Sequence, residues 1–385
     1  MNERIDHAED PIMSARRGTA RSSRRNVRPR CLLAIGPILG LLLGTPPARA
    51  DVAFGRPFLP LQVSTVPENG DQNPYGLVFV PPGVPFGGIL KSGELLISNF
   101  NDTSLQGRGS TIITIDPKSG DTGPFFTGTA PIGFTNALQV AHVGLVFAGS
   151  VFTTDGMSDT AASGGLLVID SKGHLVTTLG TSALIDGPWG LAIHDLGSSA
   201  QLFASNVFNG TITRLDVTLG PNSITVKHAV TIAAGYGFGS DPDAVVVGPA
   251  GLAYDAAHDT LFVASEKDDE IFALKGAGKT QMNLGTGSLV YQDPDHLHGP
   301  LGLIFAPNGN LLVANADPAV SQDQNVPSEI VEFTRSGHFV REFSVDPNLG
   351  AAFALGIESR VGVDVFAFVD DFVSTCTILD LAPGM

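Results

Sequence analysis

Asp293, Asp295, His296 and His298 stand within a few positions of one another, just ahead of Pro300. Asp-x-His spacing supplies ligand types that hold zinc, and an imidazole at a channel mouth can act as a base near neutral pH. The plainer reading of His298 is a surface histidine in a loop. Its position, two residues ahead of a Pro-x-Gly motif that recurs along the chain, is filled elsewhere by Gln72, Thr129, Asp186, Val247 and Ala352. A catalytic zinc takes three protein ligands, and that set falls short of a matching trio.

A second group stands where apolar runs end: Asn99, Asn206, Asn315 and Asp370. With Asp186 and His298, these could converge on a central divalent cation, calcium or zinc. The same residue types also cap strands by local hydrogen bonds, and Gly149 and Ser265 break the set. Long stretches that follow the runs are rich in acids: Asn101 and Asp102, Asp155 and Asp159, Asp317 and Asp323, joined by Asp241 and Asp243. They read either as a binding surface or as solvated Asp-rich turns. Tyr75 and Trp189 form either an apolar rim for a ligand or wedges between structural units. Asp268-Asp269-Glu270 lacks the spacing of a calcium loop. The sequence holds no Gly-x-Ser-x-Gly elbow, Walker loop or His-Glu-x-x-His pair.

The elements that position these residues repeat. Pro74-Tyr75-Gly76-Leu77, Pro131-Ile132-Gly133-Phe134, Pro188-Trp189-Gly190-Leu191, Pro249-Ala250-Gly251-Leu252 and Pro300-Leu301-Gly302-Leu303 share one pattern, and Ala354-Leu355-Gly356-Ile357 follows it without the proline. Self-similarity at intervals of 51 to 61 residues signals a solenoid or a propeller. Each motif leads into an apolar strand, then a second such as Leu311 to Asn315 after the Asn308-Gly309 turn, a third, and an irregular fourth. Four antiparallel strands in each of six units make an all-β, six-bladed β-propeller. The sixth unit stops after its third strand, and a spare strand-like stretch lies around residues 54–66. It is expected to supply the missing outer strand and close the ring, hiding two free edges.

Strand alternation then places the loops after each second strand on the same face as the stretch leading into the next unit. Asp186, His298, Asn315 and Asp317 all fall on that face, and Tyr75 and Trp189 near the mouth of the central channel.

Residues 1–50 read as an export signal: an Arg-rich stretch, an apolar run over 31–44, and Ala48-Arg49-Ala50 as a cleavage site. Met13 is an alternative start. Ser23-Arg24-Arg25 suggests the twin-arginine route, with Sec export as the other reading. Residues 51–385 form the propeller domain, with no membrane span after signal removal. That remainder holds 22 − 9 = 13 basic and 38 − 4 = 34 acidic residues, a net charge of −21. Such a surface repels nucleic acid and suits cations or basic partners, although acidity also keeps an exported protein soluble. Cys376 is then the only cysteine, so stability comes from packing and not from a disulfide.

The units resemble NHL repeats, most clearly over residues 300–334. The resemblance extends to six-bladed gluconolactonase/regucalcin-like enzymes and to peptidylglycine amidating lyases. In regucalcin-like enzymes, it implies metal ligands at the middle of such Pro-x-Gly motifs. Here those positions are Tyr75, Ile132, Trp189, Ala250, Leu301 and Leu355, which do not bind a hard cation. The expectation is therefore an exported NHL-like propeller that binds an unidentified small molecule or protein. The alternative is a divalent-metal-dependent hydrolase or lyase of the gluconolactonase-like kind.

Overall fold

The computed structural model describes residues 60–180, 184–241, 244–315, 329–345 and 352–381. Six four-stranded antiparallel sheets follow one another along the chain. Blade 1 runs from Gln72–Phe79 through Leu95–Asn101 and Thr111–Ile115 to Thr122–Thr127. Blade 3 runs from Pro188–Asp195 to Ser223–Ala234, blade 4 from Pro249–Asp255 to Ser288–Tyr291, and blade 5 from Pro300–Phe305 to Phe339–Ser344. Blade 2 lies between Phe134–Val140 and Leu175–Leu179. Two short 3-10 turns are the only helical segments among the described residues.

Burial falls from the axis outward. The second strand of blade 1, Leu95–Asn101, is buried along nearly its whole length because a neighbouring blade covers each face. Its sequence, Leu-Leu-Ile-Ser-Asn-Phe-Asn, is accordingly near-continuous and does not alternate. The outer strand Leu175–Leu179 is mostly exposed. Between blades 2 and 3, Phe147, Leu166 and Val168 pack with Leu191, Leu202 and Leu215. Each such side chain contributes about 1.5–3 kcal/mol when fully buried.

Blade 6 is closed as expected. Leu61–Ser64 pairs antiparallel with the strand Thr375–Leu381, Leu61 opposite Ile378. The Thr65 N–H and Oγ1 both donate to Ser374 O at 2.9 Å. The chain then enters blade 1 under Asp71, whose Oδ2 accepts from Ser110 N at 2.7 Å and Thr111 Oγ1 at 2.8 Å.

Two of the six motifs are placed differently from the sequence alignment. In blade 6, Ala352 pairs with Asp370 and Leu355 with Phe368, as Pro300 pairs with Asn315 and Leu303 with Val313 in blade 5. The middle position is therefore Phe353, not Leu355, and Gly356 packs on Leu77 instead. In blade 2, Phe134 pairs with Ser150 and Leu138 with Ala148. Thr135 and Asn136 together fill the middle position, because the bulge there holds one residue more, and Ile132 lies in the lead-in. The strand-end residue of blade 2 is then Ser150, one beyond Gly149.

The glycine of the motif has a steric cause. A Cβ on Gly190 would stand 2.0 Å from Ala250 O; on Gly251, 2.2 Å from Leu301 O; on Gly302, 2.3 Å from Phe353 O. Innermost strands of successive blades touch backbone to side at these points, and only hydrogen fits. Blade 2 solves the same contact from its second strand, where a Cβ on Gly149 would stand 2.3 Å from Pro188 O.

Gly190→Ala should therefore lower the unfolding free energy by about 1–3 kcal/mol or more through overpacking against backbone. Gly239→Ala, with nothing within 4 Å of its added Cβ, should be neutral or stabilising by up to about 1 kcal/mol. Urea midpoints of the two variants check the contrast.

Candidate functional site

The middle residues of blades 1, 3, 4, 5 and 6 meet on the axis and fill it. Tyr75 stacks at 4.5 Å from Phe353 and 4.7 Å from Phe100, and Trp189 meets the edges of Tyr75 at 5.6 Å and Phe100 at 5.7 Å. Ala250, Leu301, Val151 and Val207 join the same cluster. Tyr75 and Trp189 are 4% and 1% exposed. They are parts of an aromatic plug, not a rim that a ligand meets first. The plug buries the Trp189 Nε1 donor without a hydrogen-bond partner. Aromatic area and close packing outweigh a loss of about 1–3 kcal/mol for that group.

The polar residues that end the second strands do not turn toward a common centre. Three of them, Asn206, Asn315 and Ser150, tie down the lead-in of their own blade. Asn206 Oδ1 accepts from Asp186 N at 2.9 Å, and Asn206 Nδ2 donates to Leu184 O at 3.3 Å. Asn315 repeats this, with Oδ1 accepting from His298 N at 3.1 Å and Nδ2 donating to His296 O at 2.7 Å. Ser150 Oγ donates to Ile132 O. Asn99 Nδ2 is turned instead to Thr65 O at 3.1 Å and Thr111 Oγ1 at 3.3 Å. Asp370 Oδ1 accepts from Val373 N in its own turn. Ser265 Oγ donates to Asp268 Oδ2 at 2.6 Å. These are strand caps, and no group of three His, Cys, Asp or Glu side chains suited to a metal occurs among the described residues.

Asp186 and His298 occupy equivalent positions in blades 3 and 5, with blade 4 between them. Both are half-buried. Asp186 Oδ2 accepts from Asn209 Nδ2 at 3.4 Å. Asp317 lies outside the described residues.

His298 instead meets acids of blade 4. With Asp268, Asp269, Gln292, Asp293, Pro294 and Leu297 it lines a pocket of about 690 Å³ on the loop face. Asp269 sits at φ 53°, a left-handed conformation that Asp tolerates better than most residues. Its Oδ1 accepts from Gly299 N at 2.6 Å, capping the lead-in of blade 5. Ser163 and Ser374 do the same for Gly187 and Asn73. Blade 4 therefore uses a carboxylate where its counterparts use a hydroxyl. Burial pushes the Asp269 carboxyl up, and the Gly299 N–H and nearby His298 offset only part of that. Asp268 Oδ2 also accepts from Gly237 N at 2.9 Å.

Asp293 belongs to a neighbouring chain of bonds. Its Oδ2 accepts from Tyr291 OH at 2.8 Å and meets His296 Nδ1 at 2.8 Å. Burial disfavours its charge, but these two donors outweigh it and hold the carboxyl below the usual range. Burial likewise opposes the His296 cation, yet Asp293 raises its pKa. The ring stacks on Phe339 with centroids 3.9 Å apart. The pocket is thus a carboxylate-rich hollow with one imidazole, suited to a cationic group. Its run Asp268-Asp269-Glu270 gave no motif in the sequence. The available signal was topological, since the loop after a second strand must face the next blade's lead-in.

No family model matches this sequence, and no curated protein matches it. Solved structures match in fold. The Malassezia sympodialis allergen Mala s 1 is 12% identical, with 85% of this chain and 97% of that chain covered at a TM-score of 0.53. A gluconolactonase from Xanthomonas campestris is 13% identical, with 85% and 91% covered at 0.51. A chain of the mitotic checkpoint complex is 10% identical, with 90% and 99% covered at 0.51. An allergen, a lactonase and a checkpoint component share little but a scaffold. Likeness at this level establishes the propeller fold and leaves the activity open.

Two outcomes follow from the site. Asn315→Ala should cost about 1–3 kcal/mol by leaving His298 N and His296 O without their partner, measured as a shift in urea midpoint. Asp269 has a folded pKa above its unfolded one, so its charge opposes folding once pH exceeds the folded value, and the opposition vanishes below the unfolded value. Asp269→Asn keeps an acceptor for Gly299 and should raise the melting temperature at pH 7. The gain from removing the charge should shrink as pH falls through the raised folded pKa and be gone below about 4; a constant gain would reflect backbone preference alone.

Proposed function

We propose that this chain is an exported propeller that works as a binding module. Its loop face, at the pocket between blades 4 and 5, takes a cationic group presented by a small molecule or a protein. One observation carries the reading: Asp268, Asp269 and Asp293 line the same 690 Å³ hollow as His298. The net charge of −16 for the whole sequence favours the approach of such a ligand. Asp186 adds charge on the same face, and Asn315 fixes the loop that carries His298. Tyr75 and Trp189 support that face from below as part of the plug. Asp317 belongs to the same expected face by its place after a second strand. Export by the Sec or twin-arginine route remains the reading of residues 1–50.

The gluconolactonase-like reading needs a divalent cation, calcium or zinc. Among the solved structures the Xanthomonas enzyme favours it at the level of fold. Against it stand the apolar middle positions of blades 1, 3, 4, 5 and 6 on the axis and the engagement of Asn99, Asn206 and Asn315 in capping.

Calorimetric titration of the mature chain with a hexa-arginine peptide should show saturable binding that weakens with salt. The double variant Asp268→Asn/Asp293→Asn should weaken it about tenfold or more, since a hydrogen bond to a charged group is worth roughly 1.5–3 kcal/mol. Equal binding of a hexa-glutamate peptide, or no effect of the double variant, would sink the pocket assignment. Elemental analysis, with melting recorded with and without chelator, tests the other reading. A bound metal and a fall in melting temperature on chelation would favour the enzyme.

A further inference from the structure

We infer that the opposite face of the ring carries a lipid-docking tip, built by the hairpin loop of blade 1 and directed at an anionic bilayer surface. The loop over residues 80–94 joins the first two strands of blade 1. The corresponding turns of blades 3 and 6 span only residues 196–198 and 361–362. Its sequence, Pro-Pro-Gly-Val-Pro-Phe-Gly-Gly-Ile-Leu around Phe86, is apolar and rich in turn formers.

The loop is pinned at both ends. Val84 and Leu90 are 6% and 4% exposed within the core shared by blades 1 and 2. Ile89 N and Leu90 N both donate to Ser171 O in the turn of blade 2, at 2.7 and 3.3 Å. Between these anchors Phe86 is held fully exposed, at 106% of its reference area. Ile89, three residues on, is 40% exposed, and Leu175 on the outer strand of blade 2 is 51% exposed. Phe86 and Ile89 together give the pinned loop an exposed apolar tip, which costs a soluble protein solubility.

Charge selects the occupant. Next to the tip, Lys91 and Lys172 point outward while Glu94 and Asp170 are turned inward, although Asp121 in the next turn of blade 1 is exposed. Lys91 is 77% exposed, while its partner Glu94 is 10% exposed. Lys172 is exposed. The His174 side chain is 73% exposed over Asp170, which is 10% exposed and receives the N–H groups of Lys172 and His174. An apolar tip ringed by long cationic side chains matches the boundary between acyl chains and anionic headgroups. The acidic loop face does not cancel this. A blade strand of seven residues sets the faces roughly 20 Å apart, more than twice the screening length of about 8 Å at physiological salt.

Co-sedimentation of the mature chain with phosphatidylcholine vesicles, with and without phosphatidylglycerol, tests the assignment. Binding is expected to the anionic vesicles and to fall with added salt. Phe86→Ser should reduce it about tenfold or more, as expected for withdrawing one buried aromatic side chain. Lys91→Gln/Lys172→Gln should flatten the salt dependence. Asp268→Asn on the far face should leave vesicle binding unchanged, and because Phe86 makes no core contact, thermal melting of Phe86→Ser should match the parent. No sedimentation with either vesicle overturns the proposal. So does binding that survives Phe86→Ser, or an association state that changes with Phe86→Ser in the absence of lipid, which would assign the tip to a protein partner or a second copy.

Discussion

Six wedge-shaped sheets can share an axis only if something small stands where they meet, and here that constraint is met by bare backbone. Gly190, Gly251 and Gly302 each present a hydrogen to the carbonyl oxygen of the next blade. Strands that approach so closely leave no room for a wide central channel. What space remains is filled by Tyr75, Phe100, Trp189 and Phe353. Steric closure at the axis thus decides where chemistry can occur. It moves any reactive or binding surface away from the centre and out to the loops between blades.

The same logic explains why polar residues that look like a converging ligand set are not one. A lead-in segment crossing the top of a blade exposes N–H and C=O groups to a dry interior, and each must find a partner. Asn offers one acceptor and two donors, so one side chain at a strand end satisfies both sides of the crossing. Asn206 and Asn315 show the full arrangement. Blade 4 has Ser265 at that place, and there the carboxylates of Asp268 and Asp269 take over the work of bonding neighbouring backbone. Asp268 thus bonds where Ser265 is too short, Asp269 replaces the serine that caps the next lead-in in blades 2 and 6, and the acidic pocket arises from the two together.

The architecture was legible because its causes are local and repeated. Pro-x-Gly motifs, apolar runs and polar turns recur with the period of a blade, and the missing strand of the sixth unit pointed directly to Leu61–Ser64. Two motifs were misplaced for a physical reason. In blade 2 the glycine serves from Gly149 in the second strand, and in blade 6 Ala354 stands where glycine was sought, so the letter pattern drifted by two or three residues from the packing it represents. Burial of Tyr75 and Trp189 was one of two readings that the sequence left open, and only contact with Phe100 and Phe353 distinguishes them. The approach of His298 to Asp269 in one pocket was not legible, because it depends on which loop of one blade leans on the next.

The outer strand of blade 6 bears on how the molecule is made. Gln62 and Thr375 touch across 313 positions of sequence. During vectorial synthesis, the strand Leu61–Ser64 is therefore made well before its partner Thr375–Leu381. Until then two sheet edges stay open, and a contact of such high sequence separation slows folding. Once shut, the ring must release that seam before any blade can peel away, and resistance to unfolding becomes a property of the seam's rate of opening as well as of the interior's depth.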